Sequence, residues 1–110
     1  MNAIWGAGLL SLSKLIVVVD KDCDVHDYTE VAWRAFGNVD YGHDVVHMSG
    51  PVDHLDHSSY QQFFGGKLGI DATAKWETEG YRRAGGWPAE CVLDQATEEL
   101  VNRRWAEYRI

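Results

Sequence analysis

The chain has 110 residues, 45% hydrophobic and 25% charged, with a formal net charge of −7. That balance suits one globular domain with a modest core and excludes intrinsic disorder. No Lys/Arg stripe offsets the 17 acidic residues, which excludes a nucleic-acid partner, and an acidic surface is repelled by anionic lipid.

Met1 to Leu12 is mostly apolar, holds Trp5, Gly6 and Gly8 close together, and carries no charge before Lys14. It reads as the tail of an element that begins upstream. Leu15 to Val19 is a continuous, largely β-branched run, the pattern of a strand buried on both faces between helices. It is the longest apolar run and has strand length, so membrane insertion is not expected. Met1 is followed by no basic region of a signal peptide, and the expected compartment is cytoplasmic. Asp27 is placed as a helix N-cap with Glu30 as its capping-box partner. Tyr28, Val31, Ala32, Ala35 and Phe36 follow at helical spacing, and Gly37 closes the helix. Asp44 to Met48 reads as a second strand, completing a βαβ-like unit with a right-handed crossover.

From Ser49 to Gly66 the sequence is irregular, and a loop of that length in a compact domain is functional or packed against something else. Lys67 to Ile70 reads as a short strand and Glu77 to Arg83 as a helical turn. Gly85-Gly86-Trp87-Pro88 breaks the chain, and Asp94 caps a last amphipathic helix over 94–110 with Ala96, Leu100, Val101, Trp105 and Tyr108 on one stripe. The expected architecture is a single α/β domain over 1–110, a layered sheet with flanking helices and a C-terminal amphipathic helix.

Several chemistries are tested against these residues. Asp20, Asp22 and Asp24 follow the first strand, but an EF-hand fails because Val25 and Val31 stand where Gly and a bidentate Glu are required. A strand ending in Asp-x-Asp also suits a haloacid-dehalogenase-like phosphatase. The plainer reading is an acidic turn that caps the next helix. Asp53, His54, Asp56 and His57 are a possible metal cluster, although their spacing matches no strong motif, and no metal is assigned. Gly65-Gly66-Lys67 is a backbone nest for an anion or a plain turn. Gly6-Ala7-Gly8 lacks the third glycine of a dinucleotide fingerprint and precedes its strand. Cys23 and Cys91 are expected as reduced thiols. Five tryptophans supply buried area and interface anchors.

Three stretches read together resemble a known family. Ala3-Ile-Trp-Gly6 leads to Ser13-Lys14 and the strand ending in Val19-Asp20. Asp24-Val-His-Asp27 and Val31-Ala-Trp33 follow. Then come Gly50-Pro-Val-Asp-His-Leu-Asp56 and Gly66-Lys-Leu-Gly-Ile-Asp-Ala-Thr73 with Lys75-Trp76. This order and spacing is similar to the C-terminal part of UbiD-type, prenylated-flavin-dependent decarboxylases. In wording it is also similar to the branch assigned to menaquinone biosynthesis by the futalosine route. His54 and His57 stand where the ubiquinone branch carries aromatic residues.

The resemblance implies a longer enzyme, a non-oxidative decarboxylase of an aromatic or unsaturated acid. Its prenylated FMN, divalent metal and potassium would be held by an upstream flavin-binding domain. The family's Glu–Arg–Glu catalytic set lies upstream, so no catalytic residue is expected in this chain, and the fragment alone is expected to be inactive and cofactor-free. By the same resemblance, Val52, His54 and Leu55 line the substrate pocket and Ser13 and Lys14 face the flavin. The last helix makes contacts in a homo-oligomer. The alternative, a non-enzymatic interaction domain, uses the tryptophans and that helix for assembly alone.

Overall fold

A computed structural model describes residues 1–108 and divides the chain into two compact units, Met1–Lys75 and Trp76–Ile110. Arg109 and Ile110, the end of the expected 94–110 helix, lie outside the described residues.

The first unit opens with α1 (Asn2–Trp5) and a 3-10 turn over Gly8–Leu12, then β1 (Leu15–Val18), α2 (Tyr28–Gly37), β2 (Val45–Pro51) and β3 (Phe64–Asp71). The sheet order is β1-β3-β2. β3 runs parallel to β1, with Leu15 opposite Leu68, and antiparallel to β2, with Val46 opposite Gly69. The α/β class is as expected, but two of its details differ. β1 lies at one end of the sheet order and is not a strand buried on both faces: Ile16 is buried while Leu15 is 58% exposed. The strand after α2 does not complete a parallel βαβ unit either. It pairs antiparallel with β3, which takes the central place beside β1.

β3 is twice as long as the sequence suggests. Its three glycines depress strand propensity, yet two are required by close approach. A Cβ on Gly65 would stand 2.6 Å from the Ser59 hydroxyl, and one on Gly69 would stand 3.0 Å from the Trp5 ring. Trp5 is buried and its indole N–H donates to the Ser13 carbonyl at 3.0 Å, so α1 is tied to the entry of β1. With Ile16, Cys23, Ala35, Val52 and Ala72 it forms the small buried core.

Asp27 caps α2 as expected, accepting from the N–H groups of Thr29 at 2.8 Å and Glu30 at 3.2 Å. The reciprocal half of the capping box is absent. Glu30 accepts instead from the Asp24 N–H at 3.1 Å and pairs with Arg34 at 3.0 Å. The buried face of α2 is Arg34 and Ala35, while Tyr28 and Phe36 are exposed. Arg34 reaches both Glu30 and, at 3.4 Å, Asp22, and these carboxylates compensate its burial.

The second unit holds a 3-10 turn over Glu77–Glu79, α3 (Gln95–Arg104) and a 3-10 turn over Trp105–Glu107. Tyr81 and Trp87 pack at 5.5 Å between ring centroids. Asp94 caps α3 as expected, accepting from the Thr97 N–H at 2.9 Å and its hydroxyl at 2.8 Å. No residue of α3 is buried, and Leu100, Trp105 and Tyr108 of the expected stripe are exposed.

Candidate functional site

The segment between β2 and β3, residues 52–63, turns twice on aspartate side chains. Asp53 accepts from the Leu55 N–H at 2.8 Å, and Asp56 accepts from the Ser58 N–H at 3.0 Å. Phe63 then takes φ 65°, a left-handed conformation unusual for an aromatic residue, and its carbonyl accepts from the Val52 N–H at 3.1 Å. The segment closes over one end of the sheet and leaves a cleft of about 350 Å³, lined by Lys14, Ser49, Tyr60, Gln61, Phe64 and Gly66 among others.

Lys14 is the charged group in that lining. Its ammonium sits 2.8 Å from the Asp56 carboxylate and donates to the Ser58 hydroxyl. Asp56 also accepts from the Ser58 hydroxyl at 2.7 Å and the Ser59 hydroxyl at 3.0 Å. The Lys14 ammonium and the Ser58 donors hold the Asp56 carboxyl well below the usual carboxylate range.

Extending the β1–β3 register back one residue sets Lys14 beside Lys67. Lys67 is 2% exposed, and its ammonium donates to the carbonyls of Ser11 at 2.6 Å and Ser13 at 3.0 Å. Burial, and then the Lys14 charge, lower the Lys67 pKa. A Cβ on Gly50 would touch the Lys67 stem at 3.0 Å, so β2 leaves room for it. The Gly65-Gly66-Lys67 segment is thus strand, not an anion nest.

The rest of the Gly66–Trp76 block also holds structure together. Asp71 accepts from the Thr73 N–H at 3.1 Å and hydroxyl at 2.6 Å. Burial raises the Asp71 pKa, but Thr73 and Lys75 outweigh it and the net shift is downward. Lys75 donates to the Asp71 carbonyl at 2.8 Å and pairs with Asp71 at 3.3 Å and Asp44 at 3.7 Å. Asp20 accepts from the Ala74 N–H at 2.8 Å, joining the end of β1 to the end of β3. Asp20 and Asp22 therefore serve a turn and the Arg34 pair, and the phosphatase reading is set aside.

Of the residues singled out in sequence, Lys14 lines the cleft, while Ser13 contributes its carbonyl to Trp5 and Lys67. Val52 is 2% exposed and belongs to the core. Leu55 is exposed, and His54 is exposed beside Asp53 at 3.5 Å. These three are not among the cleft's lining residues. Asp56 and Ser58, which fix Lys14, were not legible as its partners. The available signal was the Asp56-His-Ser58-Ser59 order, which predicts an aspartate-capped turn. Among the described residues, no group of three or more His, Cys, Asp or Glu is placed to hold a metal ion. Nor is any helix among them long and apolar enough to cross a membrane.

A mixed three-stranded sheet with an N-terminal helical hook, and a lysine held at the mouth of a cleft, defines a small α/β domain. The chain belongs to the 3-octaprenyl-4-hydroxybenzoate carboxy-lyase (UbiD) C-terminal domain family, whose model matches residues 1–72. It is 49% identical over 110 residues to an uncharacterized protein of Archaeoglobus fulgidus, covering 99% of this chain and 22% of that protein. It is 43% identical over 103 residues to an uncharacterized protein of Aquifex aeolicus, covering 94% of this chain and 21% of that one. The chain therefore spans little more than a fifth of the length of these relatives.

Among solved structures, it resembles the vanillic acid decarboxylase of Sedimentibacter hydroxybenzoicus in its open form. The TM-score is 0.74 at 23% identity over 99% of this chain and 23% of that one, a likeness of fold. It also resembles the UbiD-class enzyme HmfF of Pelotomaculum thermopropionicum, solved in complex with FMN. There the TM-score is 0.65 at 29% identity over 97% of this chain and 22% of that one.

Proposed function

We propose that this chain is the C-terminal domain of a longer, cytoplasmic, non-oxidative decarboxylase that acts on an aromatic or unsaturated carboxylic acid with prenylated FMN. The observation that carries this reading is the family match over residues 1–72, in a chain that spans about a fifth of relatives several times longer. Likeness to HmfF, an FMN complex, supports a flavin in the parent protein. The flavin, when bound, supplies the electron sink for loss of carbon dioxide. This chain's residues fit a contact to its phosphate edge: Lys14 offers a half-exposed ammonium at the cleft, and Ser49 and Gln61 offer neutral donors. The divalent metal and potassium would be held by the upstream flavin-binding domain.

In this reading Ser13 shapes the flavin side through the Lys67 clamp. Val52 supports the pocket wall from beneath, and His54 and Leu55 present exposed groups to the substrate. The exposed stripe of α3 serves homo-oligomer contacts. The overall similarity to the menaquinone branch supports a substrate of menaquinone biosynthesis, and His54 and His57, in place of aromatic residues, set the loop apart from the ubiquinone branch.

The test is the full-length protein purified from its own source. The expected result is visible flavin absorbance and carbon dioxide release from an aromatic acid panel. A colourless full-length protein that binds no added FMN would refute the reading. An interaction domain would instead self-associate stably without any flavin domain.

A further inference from the structure

An ammonium has three N–H donors. In Lys14 two directions are used, one toward the Asp56 carboxylate at 2.8 Å and one toward the Ser58 hydroxyl. The third remains for a ligand in the cleft that Lys14 lines. A lysine side chain in water samples many rotamers, and restraining it before a ligand arrives lowers the entropy lost on binding. The partners that restrain it are themselves restrained. Asp56, 11% exposed in its side chain, accepts from the Ser58 N–H, the Ser58 hydroxyl and the Ser59 hydroxyl as well as from Lys14. Its orientation is thus fixed by the turn, independently of Lys14. Asp56 neutralises one positive charge, yet Lys67 lies next to Lys14 with carbonyl partners only, so the Lys14, Lys67 and Asp56 group keeps an excess of positive charge.

We propose that Asp56 is a positioning residue, which with Ser58 holds the Lys14 ammonium at the mouth of the cleft so that its third N–H meets the phosphate group of a bound flavin mononucleotide. The inference rests on the flavin reading above and deepens it, because it assigns a role to the last residue of the Gly50–Asp56 loop. Asp56 acts through Lys14 and does not touch the ligand.

The experiment is a double-mutant cycle in the full-length protein stripped of flavin, with FMN and riboflavin as the two probes and thermal unfolding as a check on folding. Lys14→Met and Asp56→Asn are each expected to weaken FMN roughly tenfold, about the loss of one charge-assisted hydrogen bond. The double variant should be no weaker than either single variant, because both remove the same contact. Riboflavin, which lacks the phosphate, should bind all four proteins alike.

Losses that multiply in the double variant, or that extend equally to riboflavin, would assign Asp56 a merely structural role and overturn the proposal. Tighter FMN binding by Asp56→Asn would overturn it too, by showing that the carboxylate competes with the phosphate. If the wild-type full-length protein binds neither probe, the flavin reading itself fails and this role with it. Wild-type binding with an unaffected Asp56→Asn variant sinks only the positioning role.

Discussion

Replacing Gly69 by alanine tests the hook that α1 places on the sheet. The added Cβ would meet the Met1 sulfur at 2.1 Å and the Trp5 ring at 3.0 Å. The methionine tip is flexible and can swing away. Trp5 cannot move as freely, because it is buried and its N–H is held by the Ser13 carbonyl at 3.0 Å. Forcing a methyl against such a ring costs ~1–3 kcal/mol. Loss of glycine freedom from the unfolded chain returns ~0.4–1 kcal/mol. The net expectation is destabilisation by ~1–2 kcal/mol. Gly66→Ala, three residues earlier on the same strand, is the control. Its Cβ would meet only the His47 ring at 3.6 Å, an ordinary contact, so it should be neutral or slightly stabilising. Urea unfolding followed by tryptophan fluorescence reads both variants. With a slope of about 1–3 kcal/mol/M, Gly69→Ala should lower the midpoint by roughly 0.5–1 M. Equal midpoints for the two variants would refute the close approach of Trp5 to β3.

Other consequences are open to measurement. Lys67→Met removes the donor from the Ser11 carbonyl while Ser13 keeps Trp5, so about 1–3 kcal/mol should be lost in the same urea assay; an unchanged midpoint would show that the clamp is energetically idle. Asp56 and Asp71 both have folded pKa values below their ordinary 3.8, so their stabilisation is complete above that value and is lost as pH falls through the folded-state values. The unfolding midpoint should therefore drop on acidification below about pH 4, and less steeply in Asp56→Asn; parallel curves for the two proteins would contradict the ion pair. Burial, followed by the Glu30 charge, raises the Cys23 pKa, whereas Cys91 is exposed. Iodoacetamide under native conditions should label Cys91 first, with Cys23 reacting only on unfolding, as peptide mass spectrometry would show.

Local signals in the chain were sufficient for several features that depend on near neighbours. Asp27 and Asp94 cap their helices because an aspartate two or three residues before free N–H groups needs no distant partner. The β-branched run starting at Leu15 forms a strand for the same kind of reason. The family resemblance rested on residues now seen to be structural staples: Lys67, Gly69, Asp71, Thr73 and Lys75 each make a contact that tolerates few side chains. Lys14 stood out as a basic residue at a strand start, and the structure brings it to the cleft.

Tertiary structure decided what periodicity does not encode. A run of apolar residues does not state its place in a sheet, and Leu15–Val18 became an end strand because β3 pairs with both of the others. β3 was half hidden, because glycine propensity argues for a loop until Trp5 and Ser59 are placed against it. The buried side of α2 follows Arg34, whose charge is satisfied by Asp22 and Glu30, so the aromatic stripe of Tyr28 and Phe36 stayed outside. Asp56 meets Lys14 across 42 positions of sequence, and only the return of the 52–63 segment over the sheet end brings that carboxylate to that ammonium. The chemistry of each residue is local, but which residues share a cleft depends on how the sheet is ordered.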